Sequence, residues 1–263
     1  MADGPVKLAI RDDVAWVELA KPPVNALDQE LVGALAETVL EVAAAVPRAA
    51  VFSGGARTLA AGGDIPWMLE RGRAGDQAAI SRFLRGIQRL FADIEALPFP
   101  TIAVVTGHTL GGGFELALAC DLRVASADAR MGSPEATLGL LPAAGGTQRL
   151  VEALGKGVAL DLLLTGRVIG ADEALRLGLV NRVAPAEEID DAVGTLLDAL
   201  LAGTPEATTA IKACVLANVL DGRAAGTRVE HTAAEGLNLG DPALTRLEEF
   251  QNRRAARTET VNT

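Results

Sequence analysis

The 263-residue chain is short of aromatic side chains: Phe, Trp and Tyr together make up 3% of it, and tyrosine is absent. Ala, Leu and Val must therefore fill most of the core, a role that large rings often share. Only two cysteines occur, Cys120 and Cys214, which excludes a disulfide framework and a cysteine-based zinc site. Cys120 stands in an apolar run and reads as a small core residue. The two histidines, His108 and His231, lie far apart and match no metal-ligand spacing. Positive charge is scarce too: 24 Lys and Arg against 34 Asp and Glu leave a net charge of −10. That balance lacks the basic face of a nucleic-acid binder. It does not exclude an anionic substrate, because a few local Lys or Arg can hold phosphates on an acidic protein. Met1 to Ile10 lacks the apolar region of a signal peptide, and no run reaches the about 18 apolar residues of a membrane span. The expected location is the cytoplasm. Hydrophobic residues, in contrast, make up 49% of the chain, enough to bury a core without metals or disulfides.

The pattern along the chain predicts alternating strands and helices first, then mostly helices. Val6–Ile10 and Val14–Leu19 read as a hairpin turning at Asp12-Asp13, and Pro22-Pro23 ends its second strand. Asp28 is placed to start a helix that runs to about Val46, with Leu31, Leu35, Val39 and Val42 on its apolar face. Ala49–Ser53 reads as a buried strand, followed by a loop to Asp64. Asp76 to Ala96 has helical spacing and ends at Pro98 and Pro100. Thr101–Thr106 and Leu122–Ala125 read as strands, with a short apolar helix from about Phe114 to Cys120 between them. Such βα alternation indicates a sheet with both faces covered. Beyond residue 145, helices are predicted over Thr147–Ala153, Val158–Leu164, Ala171–Leu177, Glu187–Leu201, Pro205–Leu220, Arg223–Leu237 and Pro242–Arg254, with an extended piece near Leu179–Val183. Thr258–Thr263 is expected to fray.

Glu115 is the first residue whose presence needs an explanation. It lies in Gly111-Gly112-Gly113-Phe114-Glu115-Leu116-Ala117, where the helix is apolar on nearly every side. A lone carboxylate there is costly unless paired, hydrogen-bonded or protonated. Helix capping is the ordinary alternative, but Gly112 has no side chain to complete a capping box. The three glycines let backbone approach a ligand closely and leave free N–H groups at a helix N-terminus, where negative charge is favoured. Gly112 and Glu115, three residues apart, share a helix face. No Gly-x-Gly-x-x-Gly starts here, and Gly155-Lys156 lacks the Ser or Thr of a phosphate loop. Glu135, in Gly132-Ser133-Pro134-Glu135, reads by itself as an ordinary helix start with Ser133 as cap. Ala60-Ala61-Gly62-Gly63-Asp64 is a second small-residue loop, a possible backbone donor or simply a turn capped by Asp64. Ser53 and Ser133 lie outside any Gly-x-Ser-x-Gly, which argues against a serine nucleophile.

Four segments in order resemble the crotonase superfamily of enoyl-CoA hydratases and isomerases. They are Pro22 to Leu27, Leu59 to Ile65, Gly107 to Asp121, and Gly132 to Glu135 leading on to Gly139 to Leu150; Leu164-Thr165-Gly166 and Ala174 to Val180 also fit. The likeness covers roughly residues 6–255. It implies an α/β fold, a spiral of ββα repeats forming two sheets with helices outside, with a core domain over 1–200 and a C-terminal helical trimerisation region over 201–263. Trimers that pair into hexamers are implied as well. By the resemblance, Glu115 and Glu135 match the two acid/base glutamates, and Gly63 and Gly112 match the two amides of an oxyanion hole. Lys21, Val24, Ala61, Asp64, Ile65, Gly111, Pro134 and Ala143 are implied contacts of the acyl-CoA, with Lys21 near its phosphates and the Ala143 N–H near the water. A free lysine in solvent is an equally good reading of Lys21. No cofactor is implied beyond the coenzyme A that the substrate carries.

The implied reaction is addition of water across C2=C3 of a 2-enoyl-CoA. The family's isomerases are the nearest alternative, although many keep only the acid that matches Glu135. A non-catalytic acyl-CoA-binding module would not require both acids. A Clp-like peptidase on the related fold would need a serine near 112–115 and a following histidine, and neither is there. Three departures stand out. Ser133 occupies a position where the hydratases often have Gln, Ala143 one where they often have Gly, and Asp241–Arg254 departs from the family's usual C-terminal pattern. Trp67, Met68, Phe83 and Leu84 are candidates for the acyl pocket, though a Phe at helical spacing is more often core.

Overall fold

The computed structural model describes residues 4–55, 57–238 and 240–261. Two compact units divide the chain, Met1–Leu200 and Leu201–Thr263.

The first unit begins with β1 (Val6–Arg11) and β2 (Val14–Leu19), paired antiparallel. Asp12 and Asp13 both take positive φ, 51° and 59°, as the tight turn of a twisted hairpin requires. Next come α1 (Gln29–Ala45), β3 (Ala49–Ser53), α2 (Ile65–Arg73) and α3 (Gln77–Glu95). Each of these helices starts on an aspartate that accepts a backbone N–H three residues on. The bonds are Leu31 N to Asp28 at 2.9 Å, Trp67 N to Asp64 at 3.0 Å, and Ala79 N to Asp76 at 3.0 Å. The chain continues through β4 (Thr101–Val105), β5 (His108–Leu110), α4 (Gly112–Ala119), β6 (Leu122–Ser126) and β7 (Arg130–Gly132). A 3-10 turn (Pro134–Leu138), α5 (Gly146–Thr165), β8 (Ile169–Gly170), α6 (Ala171–Arg176), β9 (Arg182–Ala184) and α7 (Ile189–Leu201) complete it.

The strands form two sheets. Six are ordered β1-β2-β3-β4-β6-β9 and three β5-β7-β8. From β2 to β9 every pairing in the larger sheet is parallel, so each step needs a crossover. Strands buried on both faces read as continuous apolar runs, and all five residues of β4 are buried. The few aromatic rings go where most area can be covered: Phe52, Phe91 and Phe114 are among the largest fully buried side chains. The remainder of the core is Ala, Val, Leu and Ile, as composition requires.

Several elements differ from expectation. Residues 65–75, between the loop to Asp64 and the helix expected from Asp76, carry no expected element and contain α2; none of that helix's residues is fully buried, so it carries little of the periodic apolar signal. β5, β7 and β8 have two or three residues each, too short for a period-2 pattern. The helices expected at Thr147–Ala153 and Val158–Leu164 form one element, broken at Gly155 by backbone at φ 73°, ψ 163°. Ser133 does not cap a helix with its side chain; Pro134–Leu138 is only a 3-10 turn, closed by left-handed Gly139.

The second unit holds α8 (Pro205–Asp221), α9 (Arg223–Asn238) and α10 (Asp241–Val261). Thr204 caps α8 through Ala207 N, and Gly222, at φ 84°, separates α8 from α9. α10 is assigned as far as Val261, across part of the stretch expected to fray from Thr258; residues 262 and 263 lie outside the described residues. Among the described residues, no helix is long and apolar enough to cross a membrane.

Candidate active site

Two glycine-containing loops lie side by side. Gly62 donates its N–H to Leu110 O (2.8 Å), and Leu110 N donates to Ala60 O (3.2 Å). Leu27 holds the first loop from its other side: its N–H reaches Gly62 O (2.9 Å) and its carbonyl accepts from Asp64 N (3.3 Å). Both groups flanking Gly63 are thus bonded to Leu27, a parallel bridge that leaves the Gly63 N–H facing away from it. Among the described residues, neither the Gly63 nor the Gly112 N–H is donated to a backbone carbonyl.

The tight approach explains the glycines. Gly111, the cap of α4, sits at φ 54°, ψ −127°, a conformation that L side chains avoid. A Cβ there would also lie 2.9 Å from Glu135 Oε1. A Cβ on Gly113 would run into the Ala60 carbonyl, and one on Gly112 would meet Leu27 Cδ1 at 2.8 Å. Asn25 ties the neighbouring loop down. Its side-chain amide donates to the carbonyls of Gly54, Thr58 and Leu59, and its Oδ1 accepts from Lys21 N at 2.7 Å. Asn25 is buried at φ 52°, a conformation that asparagine tolerates better than most residues.

Glu115 rises from the first turn of α4 and is 3% exposed. Its Oε1 accepts two backbone N–H groups, from Ala144 and Gly146, both at 2.8 Å. The turn that donates them is held by other side chains. Gln88 Nε2 donates to Ala143 O (2.7 Å) and Arg149 Nη1 to Ala144 O (3.1 Å). A Cβ on Gly146 would lie 2.9 Å from Glu115 Oε1, so only glycine lets this N–H come so close. Burial pushes the Glu115 carboxyl up, while the Gly146 and Ala144 N–H groups and the Arg149 guanidinium pull it back.

Glu135 lies in the 3-10 turn after β7, with its Oε1 beside Gly111. Its surroundings are different. Among the described residues, its buried Oε2 has no hydrogen-bond partner. Burial lifts its carboxyl to about 7; a backbone N–H opposes the rise, and the Glu115 charge adds to it. The Ser133 hydroxyl nearby is likewise buried without a partner among the described residues. The two carboxyl groups thus lie close enough for charge on Glu115 to act on Glu135; Glu115 Oε1 is held by two backbone N–H groups, whereas Glu135 Oε2 has no partner among the described residues.

The remaining expected contacts fall less uniformly. Ala61, Gly63, Asp64 and Gly111 lie on the two paired loops. The Ala61 N–H is donated to Val24 O (3.0 Å), which joins Val24 to the same strip. Ile65 and Val24 are exposed, and Pro134 and Ala143 are half-buried, the latter on the turn beside Glu115. Lys21 points its ammonium at Asp28 and Glu30. A shallow cavity of about 250 Å³ is lined by Asp28, Gln29, Glu30, Asp64, Trp67 and Phe83. Trp67 and Phe83 face each other with ring centroids 5.0 Å apart. Among the described residues, no group of three His, Cys, Asp or Glu is placed to hold a metal. Leu27, Asn25, Gln88 and Arg149 shape the site without having drawn attention in the sequence by themselves. Their partners lie up to 55 residues away, and no local pattern marks such bonds.

A sequence profile of the enoyl-CoA hydratase/isomerase family matches residues 9–241. The chain belongs to that family. It is 41% identical over 170 residues to a crotonyl-CoA hydratase of Syntrophomonas wolfei, covering 63% of each chain. It is 42% identical over 163 residues to a 2,3-dehydroadipyl-CoA hydratase of Escherichia coli, covering 62% of this chain and 60% of that one. Such matches span between about half and two thirds of the relatives' own length. The fold agrees throughout. An enoyl-CoA hydratase of Bacillus anthracis superimposes with a TM-score of 0.87 at 30% identity, over 95% of this chain and 96% of that one. A related protein from Geobacillus kaustophilus gives 0.85 at 35% identity, over 95% of both chains. The architecture is the crotonase fold, as the ordered motifs implied.

Proposed function

We propose that the chain is a 2-enoyl-CoA hydratase in which Glu115 and Glu135 act on one water and one thioester. The observation that carries the reading is the unequal pair of carboxyls, Glu115 gripped by the 144–146 turn and Glu135 beside Gly111 with a buried, unpartnered Oε2. Burial raises both carboxyls, but two backbone donors and Arg149 oppose the rise at Glu115, whereas Glu135 has an unpartnered oxygen and a carboxyl lifted to about 7. Unequal environments of this kind separate an acid from a base. Glu115 is then the base and Glu135 the acid.

In the forward direction, Glu115 accepts a proton from water as the water oxygen bonds to C3. The C2=C3 electrons move toward the thioester carbonyl, whose oxygen gains charge. The N–H groups of Gly63 and Gly112 hold that oxygen, helped by the N-terminal end of α4. C2 then takes the proton of Glu135, giving the 3-hydroxyacyl thioester. The pair resets when Glu115 loses its proton and Glu135 regains one. Coenzyme A enters and leaves with the substrate, its acyl end near Gly111 and Gly112. Val24, Ala61, Asp64, Ile65, Pro134 and the Ala143 N–H line its path. Lys21 is already engaged by Asp28 and Glu30, so its role toward the phosphates requires release from them. The helical unit over 201–263 is read as the surface on which copies assemble as trimers or hexamers.

The test follows loss of the conjugated thioester absorbance with crotonyl-CoA and longer 2-enoyl-CoAs. Glu115→Gln and Glu135→Gln are each expected to lower kcat by at least about 100-fold, the lower end for loss of an acid/base group. Unimpaired hydration by both variants would sink the mechanism. Conversion of a 3-enoyl-CoA to its 2-enoyl isomer without net hydration would replace hydratase by isomerase.

A further inference from the structure

Arg149 transfers no proton in the chemistry described above, yet it is bonded to the turn that serves Glu115. Its Nε and Nη2 form a two-pronged ion pair with Glu95 Oε1 and Oε2, at 3.2 and 2.9 Å. Its Nη1 donates to Ala144 O at 3.1 Å. Ala144 is the residue whose own N–H reaches Glu115 Oε1. One side chain on α5 thus connects the C-terminal end of α3 to the turn that grips the carboxylate on α4. Gly145 permits this path: its φ is 102°, and a Cβ there would collide with the guanidinium. Both ionic partners are largely buried, with side chains 11% and 21% exposed, so the pair is not an ordinary surface salt bridge.

We propose that Arg149, oriented by Glu95, is a positioning residue that holds the Ala144 carbonyl and so fixes the turn that donates to Glu115. The proposal rests on the hydratase reading only for its kinetic consequences. The guanidinium fork sets direction as well as charge, because two parallel bonds to Glu95 leave Nη1 aimed at the Ala144 carbonyl. The charged groups around Glu115 are Arg149 on α5 and Glu135 on the 3-10 turn. Behind Arg149 stand Glu95 on α3 and Glu152 on α5, whose carboxyl is raised by burial and by Glu95 and is opposed by Arg149. With three other carboxyls near, Arg149 is the cation among them that favours ionised Glu115.

Arg149→Gln, Arg149→Lys and Glu95→Gln test this. In Arg149→Gln the acid limb of kcat/KM is expected to move up by about one pH unit, the lower end for loss of a neighbouring opposite charge. Its kcat at pH 7 should fall about 100-fold, as a small misplacement of a catalytic group can cause, with KM within about threefold of wild type. Arg149→Lys should restore the limb but not the full kcat, since lysine keeps the charge and loses the fork. Glu95→Gln should lower kcat less than Arg149→Gln does, and it carries the test if that variant does not fold. The Glu115 carboxyl is also titrated by carbon NMR in glutamate-labelled protein, its signal assigned by its absence in Glu115→Gln. That signal should titrate at higher pH in Arg149→Gln. If it titrates as in wild type and lysine restores nothing, Arg149 is only a crosslink between helices and the proposal fails. If wild type hydrates no enoyl-CoA while the signal still moves, the hydratase reading fails and this one stands.

Discussion

Glu115 and Glu135 differ in how they meet their burial, and the difference has consequences for both stability and rate. Burial raises the Glu135 carboxyl from 4.5 to about 7, so between those values the folded chain binds a proton that the unfolded chain has lost. Stability from this group is therefore lost as pH rises from about 4.5 through about 7. Glu135→Gln removes the cost. Its melting temperature should exceed that of wild type at pH 8 and match it at pH 4, by about 2–4 °C for each kcal/mol regained. A calorimetric scan at the two pH values checks this; equal differences at both would show that Glu135 is not held protonated. The rate should respond to alkali in the same sense. An acid that must carry a proton is lost above about pH 7, so kcat/KM for hydration should fall about tenfold per pH unit well above that value. Glu115 was legible from its residue neighbours alone, because a carboxylate in Phe-Glu-Leu-Ala-Leu stands out. Glu135 was not, since Ser-Pro-Glu looks like any helix start and becomes informative only beside Gly111.

At the scale of elements, α4 is the support on which the site depends, and it is short, with eight residues. A helix this short is marginal in water by itself, so its ends must be held by the rest of the fold. Its C-terminal end is held by Arg123 on β6. Nη1 donates to Cys120 O (2.7 Å) and Ala117 O (3.2 Å), and Nε donates to Leu179 O (2.6 Å). Arg123→Met keeps the bulk and removes these charged donors, although Ala117 O keeps the Cys120 N–H (3.3 Å). We expect a loss of about 3 kcal/mol, the upper end for hydrogen bonds to a charged group, with m unchanged in urea unfolding. A change under about 0.5 kcal/mol, the ordinary range of surface substitutions, would show that α4 is held by packing alone. The periodic elements were legible: β3 matches its expected bounds, and α1, α3, α8 and α9 fall within a residue or so of theirs. The short strands β5 and β7 were not, although they matter more to the site. β5 pairs in parallel with β7, aligning Leu110 with Gly132, and so brings the Gly111 loop beside the chain leading to Glu135. Pairing between segments about 20 residues apart leaves no trace in either three-residue segment.

At the scale of the whole molecule, charge and apolar surface pull in different directions. A net charge of −10 keeps copies apart at long range, so any assembly must come from local apolar contact. The helical unit offers such surface. Ile211, Val215 and Val219 recur every four residues along α8, all exposed, and Leu244, Leu247 and Phe250 do so at three-residue spacing on α10. Under the assembly reading proposed above, these large exposed apolar side chains are the surface that copies cover. The pattern was visible in the sequence as helical periodicity. Whether those faces were core or interface was not, because periodicity reports an apolar face and not what covers it. If copies assemble through it, sedimentation equilibrium should give three or six times the 27.1 kDa of one chain. Val215→Asp combined with Leu247→Asp places two charges on that surface and should bring the mass toward a single chain. Circular dichroism should remain that of a folded α/β protein, since both substituted side chains are exposed. A wild-type mass of one chain at micromolar concentration would overturn the assembly reading. A double variant that keeps the wild-type multiple would place the contact elsewhere on the molecule.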